Sequence, residues 1–526
     1  METMKPMFGE APKITRRAVL TGAALAGIAA VGEAAGAQAA VRPPSATSAG
    51  AAFSYIAENK RAGVRSSQLP GPWRTGPAIE GFIGQHASTA ARRIVDVYVS
   101  SATPRIKIKA YRIGHYNGSG QRLVWSSASL SAGRQNRATF DAKTRMISCK
   151  WKVTTKVNTT GWPEGFYYIL LDGGSGHIQM IPFVVESASF KKKTVIVLND
   201  LTMQAYNKWG GYSLYTGADN KYASRSLKVS FDRPYYNFSE MDLRNSPLVR
   251  AAEAIPAGPV ALAYTTEARI AASPKMLEGA AAILFTGHSE YWTGPLRSGI
   301  EAARDTGSNV AFFGANNVYW RSRTEASPLG AGRVLVCYRE PKQDPLANSK
   351  PAQVTTRWRD DPAANPESSL TGSMFCNLGA SGTFTVTDPA FFAFAGTGAK
   401  AGAAYPGLVG GEIDHVFAGP GLPKNLRVFA RSPAKGNYNP NDWADSTVYT
   451  AASGAGVISI GSMNWLQAQA DPKVPATARA FGRKVTQNIV SQLALGPLGR
   501  HYVPVPNAAP SRVSPSSVQS REPVVL

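Results

Sequence analysis

Hydrophobic positions change their spacing twice along this chain, and the changes divide it. From about residue 51 to residue 187 apolar and polar residues alternate in short runs: Ile94 to Val99, Ile106 to Tyr111, Met146 to Trp151, Gly165 to Leu171 and Ile178 to Val185. Period-two runs separated by Gly, Pro, Asn and Ser predict an all-β, immunoglobulin-like sandwich. After Lys191-Lys192-Lys193 the runs become continuously apolar, as in Thr194 to Leu198, Pro259 to Tyr264, Ala281 to Thr286, Asn309 to Phe313 and Val457 to Ile460. Strands buried on both faces read this way.

Helical spacing appears between them. Thr293 can cap a helix whose first turn takes Pro295, whose apolar face is Leu296, Ile300 and Ala303, and which Gly307 ends. Phe481, Val485, Ile489 and Leu493 repeat the spacing before Gly496-Pro497. Strands alternating with helices predict an α/β domain with a mostly parallel sheet over 188–502. Gly, Pro and Asn are frequent from about 322 to 446, which predicts long insertions at the active edge. The stretch from Ala281 to Arg321 reads as one βαβ unit with His288, Ser289, Glu290, Asn316 and Asn317 at its strand exits, where ligands of parallel sheets bind.

The two ends read differently. Thr15-Arg16-Arg17-Ala18-Val19-Leu20, a short Ala/Gly-rich apolar stretch and Ala37-Gln38-Ala39 predict a twin-arginine export signal over 1–39, too short and Gly-rich for a stable membrane span. A Pro/Ser/Ala-rich linker (40–50) follows, and 503–526 reads as a disordered tail. Export places the protein in the periplasm or outside the cell.

Lys and Arg number 57 against 34 Asp and Glu, a net +23. The excess is dispersed, with no zinc-finger spacing or RNA-binding signature, so it indicates a solvated basic surface and no nucleic-acid partner. Three cysteines without a CxxC allow at most one disulfide and disfavour a Cys-ligated zinc or iron–sulfur centre.

Known catalytic motifs fail in turn. Gly287-His288-Ser289-Glu290-Tyr291 begins like a nucleophile elbow, but Tyr291 stands where the second glycine must allow tight strand-to-helix packing. HExxH, P-loop and dinucleotide fingerprints are absent. An oxygen-rich metal site is left: His288 and Glu290 are two residues apart, and the polar, aromatic segment 201–211 follows the first buried strand. Carboxylate and phenolate donors favour a hard cation such as Fe(III) over zinc.

Seven blocks carry a resemblance: LTMQAYNKWGGYSLY (201–215), KVSFDRPY (228–235), GHSEYWT (287–293), NVAFFGANNVYWR (309–321), VLVCYRE (334–340), GLVGGEID (407–414) and GVISIGSMNW (456–465). In order and spacing they resemble the large (beta) subunit of N,N-dimethylformamidase, over roughly 51–500. The resemblance implies a glutamine-amidotransferase-like α/β domain after the sandwich, and an amidohydrolase with one mononuclear iron, Fe(III), held by two tyrosinates and a glutamate. Carried over, the metal ligands are Glu290, Tyr206 and Tyr235, with Tyr236 and Tyr264 as alternatives to the last. His288, Asn316 and Glu412 fall where the family has polar groups around the metal. Thr202 and Arg339 take further site positions, Arg339 where relatives have lysine. Glu412 would move protons, with His288 and Asn316 at the developing oxyanion. The expected partners are a small amide substrate and a small subunit or second copy of the chain. The competing readings are a non-catalytic exported binding module and a serine hydrolase using Ser289.

Overall fold

The alternating segment forms two antiparallel sheets. One runs in the order Ile79–Ile83, Ile94–Ser101, Thr155–Asn158, and the other Ile178–Val185, Gly165–Asp172, Arg105–Ile113, Gln121–Ser126. Val95, Val97 and Val99 of the first meet Ile106, Ile108, Ile169 and Leu171 of the second in one apolar cluster. Alternate residues of each sheet face this cluster, while Phe166, Tyr168 and Leu170, on the other face of Gly165–Asp172, join the core under the large sheet. The computed structural model describes residues 53–65, 78–236 and 241–507. The predicted signal (1–39), the linker (40–50) and residues 508–526 of the predicted tail lie outside them. Residues 503–507 lie against the large sheet, where the Asn507 side chain bonds both the N–H and the C=O of Val428.

Past Thr194 both faces of the strands are covered. In Thr194–Leu198, Ile196 and Leu198 join the cluster that includes Phe481, Val485 and Ile489 of helix Ala476–Leu493. Val195 and Val197 join the cluster holding Leu296, Ile300 and Ala303 of helix Gly294–Asp305. That helix begins as its sequence predicts, with Thr293 Oγ1 accepting from the Leu296 N–H at 3.2 Å. Five short strands run parallel in the order Leu262–Thr266, Thr194–Leu198, Ala282–Phe285, Asn309–Phe312, Gly456–Ser459.

The same sheet does not stop there. It continues antiparallel through Asp442–Thr450, Arg427–Lys435, Met374–Thr385 and Ala404–His415, making nine strands of mixed direction. A further sheet pairs Lys228–Ser230, Gly330–Val336, Trp320–Ser327 and Tyr291–Thr293. The protein is therefore mostly β with a large mixed sheet, and the predicted glutamine-amidotransferase-like α/β domain is corrected. The reason lies in residues 322–446, which form long strands where insertions are predicted. The pairing of Met374–Thr385 with Ala404–His415 shifts register three times, and Gly379, Gly407 and Gly411 take left-handed φ of 60°, 84° and 72°. Such bulges break the alternation by which a strand is read. No helix among the described residues is long and apolar enough to cross a membrane.

A buried ion pair ties the two-sheet region to the end of helix Ser246–Glu253 and, through Tyr264, to the large sheet. Arg112, on Arg105–Ile113, donates to Glu253 at 2.6 and 3.1 Å, with Tyr264 Oη and Asn59 Nδ2 donating to the same carboxylate at 2.6 and 2.8 Å. Neither charge reaches solvent. Removing one partner of a buried pair strands the other, which costs about 3–5 kcal/mol. Glu253→Ala is expected to lower unfolding stability by about that amount, measured by denaturant titration, and Glu253→Gln by less, since the amide still accepts a hydrogen bond.

Candidate functional site

Two loops cross where the strands Ala282–Phe285 and Asn309–Phe312 end, and glycine lets them cross. A Cβ on Gly314 would lie 1.4 Å from the Gly287 carbonyl oxygen, so the backbones touch with no room for a side chain. Beyond this contact the first loop carries His288, Ser289 and Glu290, and the second carries Asn316 and Asn317. The Glu290 backbone is pinned on both sides: its N–H donates to Thr202 Oγ1 at 2.9 Å, and its C=O accepts from Tyr319 and Trp320 at 3.0 and 2.9 Å. Thr202 thus acts through backbone, taking the Tyr291 N–H as well at 3.2 Å.

Two tyrosines close on the Glu290 side chain. Tyr206 ends helix Asp200–Tyr206, and the turn at Trp209–Gly211, with φ of 76° and 89° at Gly210 and Gly211, folds the chain back so that Tyr215 stacks on it at 4.3 Å between ring centroids. Tyr215 Oη donates to Glu290 Oε1 and Oε2 at 2.5 and 2.6 Å. Tyr206 Oη lies 2.9 Å from Glu290 Oε2 and 3.0 Å from Tyr215 Oη. Around them stand His288, with Nε2 3.2 Å from Tyr206 Oη and 3.5 Å from Glu290 Oε2; Asn316, whose Nδ2 is 3.4 Å from Glu290 Oε1; and Glu412, 3.6 Å from His288 Nδ1.

Of the residues the sequence nominates, Tyr206, Glu290, His288, Asn316 and Glu412 meet here. Tyr235 does not: its backbone carbonyl accepts from Gln179, and the charges acting on its phenol are Asp200, Arg333 and Arg233. Tyr236 is 58% exposed and Tyr264 bonds Glu253, so neither alternative faces Glu290. The second tyrosine that meets Glu290 is Tyr215. It closes the block 201–215, and the paired glycines before it were the available sign that the chain reverses there. Arg339 lies beside the cluster, stacked 4.2 Å over the Tyr215 ring with Nη2 donating to Tyr291 Oη. Asp414, unnoticed in the sequence, accepts the Asn316 N–H at 2.7 Å and so holds Asn316 in its left-handed conformation, φ 53°. Ser289 is buried, its hydroxyl donating to Glu267 and accepting from the Trp292 Nε1–H, and it bonds no histidine among the described residues.

Burial governs the electrostatics. It raises the phenols of Tyr206 and Tyr215 well above their ordinary range, and the charge of Glu290 adds to it, so in the bare chain both are neutral donors. Burial also opposes ionisation of Glu290, but the His288 hydrogen bond and charge, with the Tyr215 bond, outweigh it and hold its carboxyl below the usual value. Glu412 is pushed up by burial, which His288 only partly offsets. For His288 burial alone would favour the neutral ring, yet Glu412 and Glu290 together raise it to about 9. Among the described residues no group of three His, Cys, Asp or Glu side chains is placed to hold a metal. Two of the three side chains that converge here are phenols.

The family described as N,N-dimethylformamidase beta subunit-like, C-terminal, matches residues 107–475. This chain belongs to that family. No curated protein matches it. In this dimethylformamidase beta subunit-like chain the matched span contains every residue of the cluster from Thr202 to Glu412, and it crosses the change of period near residue 190, taking in most of the two-sheet region.

The raised pKa of His288 has a direct consequence for stability. Its folded value of about 9 exceeds the ordinary 6.5, so the imidazolium's contribution is complete below pH 6.5 and is lost as pH rises through 9. Chelator-treated protein is expected to unfold at lower denaturant concentration at high pH than at pH 6, with the step absent in His288→Gln. Equal wild-type midpoints at both pH values would show a neutral imidazole.

Proposed function

We propose that this chain is a hydrolase of small amides whose Tyr206, Tyr215 and Glu290 hold a mononuclear Fe(III) ion. The observation that supports it is the crowding of oxygen atoms. Two phenols and a carboxylate bring four oxygens within 2.5–3.0 Å contacts, yet they own two protons between them, so more lone pairs converge than hydrogen bonds can use. Hard oxygen donors in that number suit Fe(III), whose positive charge would offset the burial penalty on the phenolates and let both phenols lose their protons on binding. Such an ion, when bound, supplies Lewis-acid polarisation of an amide carbonyl or of water.

The chain's own groups account for proton transfer and orientation. Glu412 Oε2 is buried without a hydrogen-bond partner, and its raised pKa suits a group that takes a proton from water and returns it to the departing amine nitrogen. His288, charged and fixed through Nδ1 on the Ala315 carbonyl at 3.2 Å, presents Nε2–H to the developing oxyanion. Asn316 Nδ2–H supports the same charge. A buried carboxylate oxygen that has the His288 charge at 3.6 Å but no hydrogen bond costs stability that a binding module need not bear, which favours turnover over a binding-only role. The Ser289 hydroxyl donates to the buried Glu267 carboxylate, and no Ser–His pair forms among the described residues.

We also propose that the chain works with a small subunit or a second copy of itself, as the beta-subunit description of the family suggests. The Arg16-Arg17 segment supports export of the folded, loaded protein.

Two experiments test the site. Iron-loaded wild type should show a visible tyrosinate-to-Fe(III) charge-transfer band that Tyr206→Phe and Tyr215→Phe weaken or abolish and Tyr235→Phe leaves intact; a band lost in Tyr235→Phe but kept in Tyr215→Phe reverses the assignment. Glu412→Gln should keep its iron while kcat for a small N-alkyl amide falls by about 10²–10⁴-fold. Unchanged kcat would remove Glu412 from proton transfer.

A further inference from the structure

Among the described residues, most buried arginine side chains are answered by an acid, and Arg233, whose Nε has no partner, by three carbonyls. Arg112 meets Glu253, Arg297 meets Glu301, Arg333 meets Asp232 and Arg359 meets Glu367. Arg233 donates to three backbone carbonyls at 2.7–3.2 Å. Two arginines beside the candidate site differ. Arg339 is 3% exposed and Arg225 is 7% exposed, and neither forms an ion pair among the described residues.

Their donors are largely idle. Arg339 uses only Nη2, on the neutral Tyr291 hydroxyl, and its Nε and Nη1 have no partner. Arg225 reaches the Tyr222 and Tyr338 carbonyls at 3.3 Å each, and its Nε has no partner. Charge-assisted N–H···O bonds are typically about 2.7–2.9 Å. The rest of their surroundings is aromatic: the Arg339 guanidinium carbon lies 4.2 Å from the Tyr215 ring centroid and 4.5 Å from that of Trp320, while that of Arg225 lies 4.0 Å from Tyr222. Guanidinium groups stay charged even when buried. Two like charges therefore share a pocket of rings, and the acid whose field Arg339 feels, Glu290, is already engaged by Tyr206 and Tyr215.

Rings orient a guanidinium without satisfying its N–H groups. An anion would satisfy them, and the half-buried Tyr222 ring, which lies over Arg225 and 5.4 Å from the Arg339 guanidinium carbon, is the cover it would displace. We propose that Arg225 and Arg339 form an anion subsite one aromatic ring away from Glu290, and that the substrate is an amide bearing a carboxylate. The neutral dialkyl amide suggested by the family's description would leave both guanidinium groups unanswered. The inference rests on the amidohydrolase reading of the neighbouring cluster for its chemistry, but the subsite itself rests on the arginines alone.

The test separates the two. Iron-loaded full-length protein is assayed on N-acetylglycine against N-ethylacetamide, and on succinamate against butyramide, each pair matching a carboxylate to a methyl group. Independently, binding of 4-oxopentanoate, a ketone that cannot be hydrolysed as an amide, is compared with that of 2-hexanone by titration calorimetry. We expect kcat/KM to favour the carboxylate in at least one pair by about tenfold or more, the worth of a charge-assisted hydrogen bond. We expect 4-oxopentanoate to bind and 2-hexanone not to bind measurably. Arg225→Met and Arg339→Met, checked for folding by near-ultraviolet circular dichroism, should each pull the favoured ratio toward one and weaken 4-oxopentanoate. If 4-oxopentanoate binds through these arginines but no amide is cleaved, the subsite stands and the hydrolase reading falls. Neutral amides cleaved at least as well as their carboxylate partners, with no 4-oxopentanoate binding, would overturn the subsite and leave the hydrolase reading intact.

Discussion

A carboxylate taken out of water is the constraint to which the centre of this protein answers. Glu290 is 2% exposed, and a buried charge is tolerated only where charges and donors replace its lost hydration. His288, Tyr206, Tyr215 and Asn316 supply that replacement from three stretches of chain, 201–215, 287–293 and 309–321. Each segment must then be fixed, because a donor that drifts by an ångström stops compensating. The Gly287–Gly314 contact locks the two strand-exit loops together, Thr202 pins the backbone of Glu290, and Asp414 holds Asn316. The large sheet is the frame on which these fixings converge.

The same logic explains why left-handed backbone appears where it does. Asn316, Val318 and Arg339 have φ of 53°, 60° and 69°, and Val318 is β-branched, a residue for which this conformation is a true outlier. All three lie on segments that flank the cluster. Strain of this kind persists only where surrounding bonds over-determine the backbone. The Val318 N–H is held by the Ser289 carbonyl, and Asn316 by Asp414. The polar cluster and the strained loops therefore depend on each other: the ladder Tyr291–Trp320 keeps the loops in register, and the loops keep the donors on Glu290.

Much of this was legible in the sequence, and the failures have physical causes. Thr293 and Leu296, Ile300 and Ala303 announced their helix because its cap and apolar face depend on local chemistry alone. Continuous apolar runs announced the five parallel strands because both faces are covered. The four antiparallel strands were illegible because bulges at Gly379, Gly407 and Gly411 destroy alternation, and with them went the correct fold class. In the site, His288 and Glu290 could be paired from their spacing, since two residues of extended chain point one way. Tyr215 could not be separated from Tyr235 by spacing. Only the reversal at Gly210-Gly211 puts the nearer tyrosine on the Tyr206 ring, and that reversal is set by tertiary packing.

Charge compensation also gives a way to tell structure from purpose among buried ions. Arg112 and Glu253 satisfy one another and Tyr264 completes the set, so nothing about that pair calls for a third party. Glu412 and Arg339 are buried to a similar depth and are incompletely hydrogen-bonded: one carries a carboxylate oxygen that meets only the His288 charge, at 3.6 Å, the other two guanidinium nitrogens without a partner. A fold under selection for stability alone would have paired or removed such groups, since each idle buried polar atom costs about 1–3 kcal/mol. Both stand beside the Tyr206–Tyr215–Glu290 cluster, with opposite signs of charge. An amide with an anionic end matches that polarity: its reacting nitrogen requires a proton that a carboxylate can carry, and its carboxylate requires the donors that an unpaired guanidinium holds.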